Sequence, residues 1–339
     1  MSTSHRPGDA PLAVGIALAL TLALGAMLSL FAWPAARLAP NDLPVAVAGP
    51  AAATTRMGAA LAQARPDAFV VTSVATRDDA ARMVRQHEVY GALVVSTSGA
   101  EVLTASARSP VVAQLLGQTG AQLAAAQGTT ATVTDLVPLP ADDPRGAGLA
   151  AGLLPIVLGG LACASATSLL IRRRRWRVIA ATLYAVVGGF VLTALLQSWL
   201  GSLSGNLWAN AAVLASGVAA VAFAVLGLES VFGTKGLGLG AVVMMLLGNA
   251  LSGAGSAPEL LPSGWGAVGQ WLPAGATNTA LRAVAFFDGH GAAQPLLVLA
   301  AWVVFGLVLL ALPSRRGIPA PAETVTTHPP MVTASHPAG

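Results

Sequence analysis

The residue types that most often carry chemistry in proteins are few and scattered in this chain. Its histidines are His5, His87, His290, His328 and His336, and its single cysteine is Cys163. A metal site needs several converging ligands and a disulfide needs a second cysteine, so we expect neither. The chain also lacks the Gly-x-x-x-x-Gly-Lys-Ser/Thr phosphate loop and the Gly-x-Ser-x-Gly turn of serine hydrolases. We therefore predict no catalytic residue, no metal and no cofactor.

Three amide side chains lie in or near apolar runs, namely Gln197, Asn210 and Asn249. Such amides either bridge helices through hydrogen bonds or line a transport path. Glu229 lies at the end of one run, and no Asp, Glu, Lys or Arg lies in the middle of any run. Proton relays and ion-coupled transporters depend on a charge at that depth. The pattern favours an apolar or amphipathic cargo, or a scaffold that transports nothing.

The composition predicts a membrane protein. Of 339 residues, 55% are hydrophobic and only 9% are charged, whereas soluble domains are about a quarter charged. Runs of about 20 apolar residues are long enough to cross a bilayer. The net charge of +4 comes with basic residues at the ends of these runs, as in cytoplasmic loops, so we predict no nucleic-acid partner.

The order of the runs predicts an α-helical polytopic membrane protein with six transmembrane helices. The predicted helices cover residues 12–33, 148–171, 178–200, 209–228, 237–253 and 295–312. The first run is too long for the core of a signal peptide and no clean cleavage site follows, so we expect it to stay attached. Residues 1–11 and 313–339 are predicted cytoplasmic tails, the second of them disordered. Residues 148–312 would form a five-helix membrane domain.

Between the first and second helices, residues 34–147 have the composition of a small soluble domain. Apolar runs predict strands, and the stretches between them predict helices, so we expect an α/β extracytoplasmic domain. The expected strands cover residues 43–48, 68–74, 90–96, 101–107 and 132–138.

Five arginines lie together between the second and third predicted helices: Arg172, Arg173, Arg174, Arg175 and Arg177. Short basic loops stay in the cytoplasm, so this loop predicts the direction of every helix and places both termini inside. Arginines near the membrane surface also attract anionic lipids. We therefore expect these five residues to fix the topology and to anchor the chain to anionic lipid.

Residues 256–293 are too rich in polar residues, Pro and Gly to cross the membrane. We predict a re-entrant or interfacial hairpin that could act as a gate, with a plain external loop as the alternative. Its candidate gating residues are Pro262, Trp265, Trp271, Pro273 and Arg282.

Together these features resemble the ABC-2 type export permeases, in the branch of the phage infection protein group. The resemblance rests on the order of helix, external domain and five helices, on residues 74–96 ending in Tyr-Gly-Ala-Leu-Val-Val-Ser, and on the Leu-Pro and Trp pattern of residues 259–289. It implies two paired permease copies, as a homodimer or otherwise, and a separate cytoplasmic ATPase. It also implies a hairpin that guards the exit, where Arg282 would pair with Glu259 or Asp288 or contact lipid headgroups.

The predicted function is therefore that of a permease subunit that exports an apolar or amphipathic cargo across a bacterial cell membrane. The alternative is a cell-envelope scaffold or secretion accessory protein whose external domain binds a partner. One difference between this chain and the family bears on the choice between the two functions. Permeases of this family present a longer cytoplasmic segment between the second and third helices, where this chain has about six residues.

Overall fold

The computed structural model describes residues 9–96, 99–126 and 128–312. Within these residues the chain is mostly helical and has two parts, an α/β unit and a set of apolar helices. The predicted tail 313–339 lies outside the described residues. So do residues 1–8 of the predicted tail 1–11, and Asp9 already begins the first helix.

The first helix, α1 (Asp9–Ala36), leads into the α/β unit. The unit consists of β1 (Leu43–Ala48), α2 (Ala51–Ala64), β2 (Phe69–Val74), α3 (Arg77–Arg85), β3 (Gly91–Ser96), β4 (Gly99–Thr104), α4 (Pro110–Ala126) and β5 (Ala131–Asp135). The sheet order is β2-β1-β3-β4-β5, and all neighbours are parallel except β3 and β4. Side chains alternate across a strand, so Leu43 and Val45 of β1 pack with α2 and α4 while Ala46 and Ala48 pack with α3.

One edge of this sheet faces the apolar helices. The amino ends of β1 and β3 lie there because α1 leads directly into β1 and the parallel strands share one direction. The carboxyl end of β4 lies at the same edge because β4 runs antiparallel to β3. This edge therefore carries three loops that can contact the rest of the protein.

The rest of the chain is helical. It consists of α5 (Ala147–Leu170), α6 (Arg174–Thr193), α7 (Leu207–Phe232), α8 (Thr234–Ala241), α9 (Gly248–Ala250), α10 (Trp265–Gln270), α11 (Pro273–Phe286) and α12 (Ala293–Ala311). A π-helical turn, Ala194–Trp199, continues α6, and a second, Val242–Leu247, joins α8 to α9.

Five helices of the described residues are long and apolar enough to cross a membrane, which indicates a helical membrane protein. They are α1, α5, α6 with its π-helical turn, α7 and α12. The run at residues 237–253 was predicted to be a sixth, but it belongs to a shorter helix, Thr234–Ala250, of 17 residues. At 1.5 Å per residue such a helix reaches about 25 Å, against about 30 Å of bilayer hydrocarbon.

Helix α7 forms the centre of the helical part, whereas α1 lies apart from it. In α7, 72% of the most apolar window is buried, and in α1 none of it is. Helices α7 and α12 touch through their backbones because each contributes a glycine, and a Cβ atom on Gly306 would overlap the backbone of Phe223. Near the carboxyl end of α1, Trp33 makes an edge-to-face contact with Trp265, and the ring centroids lie 5.1 Å apart.

Candidate functional site: the junction between the α/β unit and the helices

The segment predicted to be a hairpin, residues 256–293, packs inside the protein. It forms a 3-10 turn, Pro258–Leu260, followed by α10 and α11. Helix α11 begins at Pro273, a residue that suits the first helical position because its missing N–H would have no partner there. Most of α11 is buried, and its apolar residues pack against α5 and α7. The segment therefore forms the floor on which the α/β unit lies.

Polar contacts join this floor to the facing edge of the sheet. The Tyr90 hydroxyl donates a 2.6 Å hydrogen bond to the Glu259 carboxylate, and the Ser109 hydroxyl donates one of 2.6 Å to the Ser256 carbonyl oxygen. Asn41, just before β1, donates through its side chain to the Leu261 carbonyl oxygen at 2.9 Å. Each of the three loops on that sheet edge is thus fixed to the floor.

Arg282 lies at the centre of this junction and is only 5% exposed. Its guanidinium donates to the carbonyl oxygens of Ala107, at 2.8 Å, and Ala254, at 3.3 Å, and to Asn278 Oδ1 at 3.2 Å. Burial lowers the pKa of Arg282 to about 10, which leaves it charged at neutral pH. An arginine has five N–H groups to satisfy, and carbonyl oxygens can accept from several of them at once.

The expected partners of Arg282 differ from those observed. The Glu259 carboxylate accepts from Tyr90, and no ion pair joins Arg282 to Glu259 or Asp288 in the part of the chain that the structure describes. Its burial also keeps the guanidinium away from lipid headgroups. Arg282 therefore ties α11 to the end of β4, because Ala107 follows that strand.

The other four candidate gating residues have different positions. Pro262 and Trp265 lie around the start of α10, where Trp265 contacts Trp33 of α1. Trp271 is 65% exposed, and its carbonyl oxygen accepts a 2.8 Å hydrogen bond from the indole N–H of Trp302. Pro273 is buried at the start of α11. Of these four residues only Trp271 is exposed, whereas Pro262 and Trp265 are half-buried and Pro273 is buried within the floor.

Apolar residues of the floor complete both hydrophobic cores of the α/β unit. Phe287 is 1% exposed and packs in the core beneath α3 with Ala80 and Val84. Ala257 and Leu260 pack in the core on the other face of the sheet, beneath α2 and α4. The α/β unit and the floor therefore share their cores, and the junction is more than a surface contact.

His87 lies in the same junction, edge-to-face against Phe287 with ring centroids 4.7 Å apart. Desolvation lowers its pKa from 6.5 to about 3, and the positive charges of Arg108 and Arg282 and the neighbouring His290 add to the effect. Arg108 also donates to the His87 carbonyl oxygen at 2.6 Å and stacks over the Tyr90 ring. His87 is therefore neutral in the folded protein at neutral and mildly acid pH.

This neutral histidine predicts a loss of stability in acid. Between pH 6.5 and 3 the unfolded chain binds a proton at His87 that the folded chain does not, so the free energy of unfolding falls as pH falls. At pH 5 we expect a loss of about 1–2 kcal/mol relative to pH 7, after allowance for partial exposure. His87→Asn should lose less between these pH values, and asparagine suits the left-handed backbone at this position (φ 62°). Denaturant unfolding in detergent measures both slopes, and equal slopes would contradict the prediction.

At the opposite end of the helices lie the five arginines between residues 172 and 177, which we name the arginine loop, although Arg174, Arg175 and Arg177 already belong to α6. Its side chains are of two kinds. Arg177 is buried and makes a 2.9 Å salt bridge with Glu229 of α7, while it also donates to the carbonyl oxygens of Ile171 and Ser168. Arg174 donates to the carbonyl oxygens of Leu310 and Leu312 at the end of α12, both at 2.7 Å. These two arginines therefore join α5, α6, α7 and α12.

The other three arginines of the loop are exposed. Arg175 lies over the ring of Trp176, with its guanidinium carbon 5.7 Å from the ring centroid. The guanidinium groups of Arg172 and Arg173 have no hydrogen bond or ion pair with any residue that the structure describes, although the Arg173 carbonyl oxygen accepts from the backbone N–H groups of Trp176 and Arg177. These are the arginines of the loop that are free to bind lipid.

The three intramembrane amides form two separate sites. Asn210 donates to Gln197 Oε1 at 3.1 Å and to the Ser204 carbonyl oxygen at 2.8 Å, and Gln197 donates to the Gly205 carbonyl oxygen. This pair closes the turn between α6 and α7. The third amide, Asn249, lines a cleft of about 400 Å³ between the end of α1 and residues 249–256, which we name the α1 cleft.

The α1 cleft has a mixed lining. Phe31, Pro34 and Leu38 form its wall on the side of α1, and the opposite wall includes Asn249, Ser252 and Ala150. The wall on the side of α1 is apolar, and the opposite wall combines apolar residues with the polar Asn249 and Ser252. Such a lining suits an amphipathic molecule better than an ion or a sugar.

Sequence reasoning missed several contacts that define these sites. It placed Tyr90 at the start of a strand without giving it a partner, it did not single out Ser109, and it weighed Glu229 without finding its partner Arg177. The arginine loop and Glu229 were both expected at the cytoplasmic ends of helices, which was the available sign that they could meet. No group of three or more His, Cys, Asp or Glu that could hold a metal occurs among the described residues.

Comparison with known proteins does not assign the chain to a family. No family model, curated protein or solved structure matches this chain. The resemblance to ABC-2 type export permeases therefore stays a prediction from the motifs of the sequence.

Proposed function

We propose that this chain is the membrane permease subunit of an ABC-2 type exporter. In this proposal it moves an apolar or amphipathic cargo outward across a bacterial cell membrane, and a separate cytoplasmic ATPase hydrolyses ATP. The arginine loop lies on the cytoplasmic side and the α/β unit lies outside. Two copies act as a pair, and the apolar surface of α1, none of whose most apolar window is buried, is available for that contact.

The proposal includes six membrane crossings with both termini in the cytoplasm. The support is the path of the chain between α7 and the floor. Helix α7 ends near Glu229 at the arginine loop, whereas residues 259–261 contact Asn41 at the α/β unit. Helix Thr234–Ala250 has to connect these two ends. Its 17 residues fall short of a full span, and a locally thinner bilayer or the flanking residues would supply the difference.

The single observation that carries the transport proposal is the α1 cleft. It lies between the floor that holds the α/β unit and α1, whose most apolar window is not buried, so a movement of that part of α1 would leave the core of the helical part intact. Its mixed lining matches an amphipathic cargo that enters sideways from the membrane. A cleft of about 400 Å³ falls in the size range of small-molecule sites.

In this proposal the motion of the ATPase reaches the helices through the arginine loop. The salt bridge between Arg177 and Glu229 connects the arginine loop to α7, which packs against α5, α6, α11 and α12. A partner ATPase that moved the loop would therefore move the central helix. Such a mechanical link is what a permease without its own nucleotide site requires.

The cleft gives a direct test. Ala150 lines it, so Ala150→Trp should fill it and reduce efflux of an amphipathic fluorescent dye from cells that express the chain with its ATPase by tenfold or more. Ala300→Trp is the matched control, because Ala300 is exposed on α12 and lies outside the cleft. Equal efflux by both variants, at equal membrane levels, would refute the cleft as the cargo path.

A second function is favoured by one observation, the shortness of the cytoplasmic loop. Only Ile171, Arg172 and Arg173 separate α5 from α6, which leaves little surface for an ATPase. The alternative is a cell-envelope scaffold whose α/β unit binds a partner through the sheet edge that points away from the floor. Purification of the full chain in mild detergent distinguishes the two. An ATPase that co-purifies supports the exporter, and an envelope protein that is lost when exposed Arg77 is replaced by alanine supports the scaffold.

A further inference from the structure

Two adjoining grooves run along the outer face of α6. The first has a volume of about 560 Å³ and the second about 610 Å³, and they share Ala180 and Leu183. The first begins at the arginine loop, where Arg172 and Arg173 form its mouth. The second continues past Tyr184 to Pro155 of α5. They make one continuous surface, which we name the α6 groove.

The mouth and the walls of the α6 groove differ sharply in polarity. At the mouth, the exposed guanidinium groups of Arg172 and Arg173 have no hydrogen-bond or ion-pair partner among the described residues, and Trp176 is 50% exposed. Beyond the mouth the walls are Ile179, Leu183 and other apolar side chains. A tryptophan between a charged mouth and an apolar wall is typical of the membrane interface.

The depth of the groove matches one leaflet of a bilayer. From Arg173 to Leu183 the helix rises about 15 Å, which is half of a hydrocarbon core of about 30 Å. The remainder, to Val191, continues toward the other leaflet. An acyl chain that starts at the arginines would therefore lie against protein along its whole length.

We propose that the α6 groove binds one anionic phospholipid. The phosphate accepts hydrogen bonds from the guanidinium groups of Arg172 and Arg173, a geometry that suits arginine particularly well. One acyl chain lies along Ile179 and Leu183 and ends near Tyr184 and Pro155. Arg174 and Arg177 take no part, because neither lines the groove: Arg174 is bound through Nη1 to the end of α12, and Arg177 is buried against Glu229. The proposal does not depend on transport.

The charge at the mouth argues for a lipid over a second copy of the chain. A second copy packed on the same face by two-fold symmetry would bring its own Arg172 and Arg173 near the first pair, and like charges repel. An anionic headgroup neutralises them instead. The bound lipid would fasten the arginine loop to the membrane surface at the point where α5 and α6 meet.

Native mass spectrometry of the delipidated full-length protein tests the proposal. Phosphatidylglycerol and phosphatidylcholine with identical acyl chains are the probes. We expect one phosphatidylglycerol to be retained, and R172Q/R173Q to weaken its binding by about 30-fold, about fivefold for each arginine. Ala180→Phe, which fills the shared part of the groove without changing charge, should weaken it at least fivefold. Phosphatidylcholine should bind wild-type protein and both variants equally weakly.

The control is Lys235→Gln, which removes a basic residue at the start of α8 that does not line the groove. It should bind phosphatidylglycerol as wild type does. Equal retention by wild type and R172Q/R173Q would overturn the proposal, because the lipid would then be held by the general apolar surface. Full retention by Ala180→Phe, or displacement by glycerol phosphate without acyl chains, would overturn the groove as the binding site.

Discussion

Glu229→Ala is expected to lower the free energy of unfolding by about 3–5 kcal/mol, which is the usual cost of removing one partner from a buried ion pair. Glu229 is 4% exposed and its carboxylate lies 2.9 Å from Arg177, which is 8% exposed. Without the carboxylate, the Arg177 guanidinium would stay buried beside α7 with its charge uncompensated. Its hydrogen bonds to Ile171 and Ser168 would hold it in that position. Unfolding in mixed micelles, followed by tryptophan fluorescence, measures the loss.

A matched control comes from an exposed pair in the α/β unit. Arg77 and Glu101 lie 2.7 Å apart, but the side chain of Arg77 is 43% exposed, so Glu101→Ala should cost only about 0–1 kcal/mol. The double variant Arg177→Met with Glu229→Met should recover most of the loss, because no buried charge remains. A cost for Glu229→Ala as small as that for Glu101→Ala would show that water reaches the Arg177 side chain.

The same pair shows what could be predicted from the sequence and what could not. The arginine loop and the end of the run that carries Glu229 were correctly expected to be basic and acidic neighbours of apolar helices. Which of five arginines would turn inward could not be predicted, because that depends on the rotation of α6 against α7. A shift of one residue along a helix turns a side chain by about 100°, which exchanges a buried position for an exposed one.

Local patterns predicted the strands well. Residues 43–48 are apolar throughout, which predicts a buried strand, and β1 covers those residues. The last strand was expected at residues 132–138, but β5 ends at Asp135, because the Asp135 side chain accepts from the backbone N–H groups of Ser106 and Val137 and turns the chain. Such contacts between a side chain and the backbone compete with the hydrogen bonds between strands, and they are hard to predict from the sequence.

Contacts between distant parts of the chain could not be predicted. The segment at residues 256–293 was expected to be a re-entrant or interfacial hairpin, or else a plain external loop, because its Pro and Gly residues break helices. The structure uses these breaks to fold the segment under the α/β unit, and Ala257, Leu260 and Phe287 enter cores formed more than 100 residues earlier. Nothing in the local sequence of this segment distinguishes a residue that faces lipid from one that faces a sheet.

Phe287→Ala is expected to destabilise the α/β unit by about 3–5 kcal/mol, the usual cost of deleting a buried phenylalanine side chain. Phe287 is 1% exposed and belongs to the core beneath α3, although it lies at the end of α11 outside the unit. Its ring also contacts His87, so the cavity would extend to the junction. Amide hydrogen exchange of β1 and β3, measured on the full-length protein in lipid nanodiscs, should become faster by about two to four orders of magnitude.

The control is Phe232→Ala, since Phe232 is 57% exposed at the end of α7 and far from the sheet. It should leave exchange in β1 and β3 unchanged. If Phe287→Ala also leaves it unchanged, the α/β unit has a complete core of its own and only rests on the floor. If exchange accelerates as expected, the unit depends on α11 for its stability. A movement of α11 would then move the α/β unit as well, because Phe287 packs in the core of that unit. Separating the two would cost the apolar contacts of this shared core.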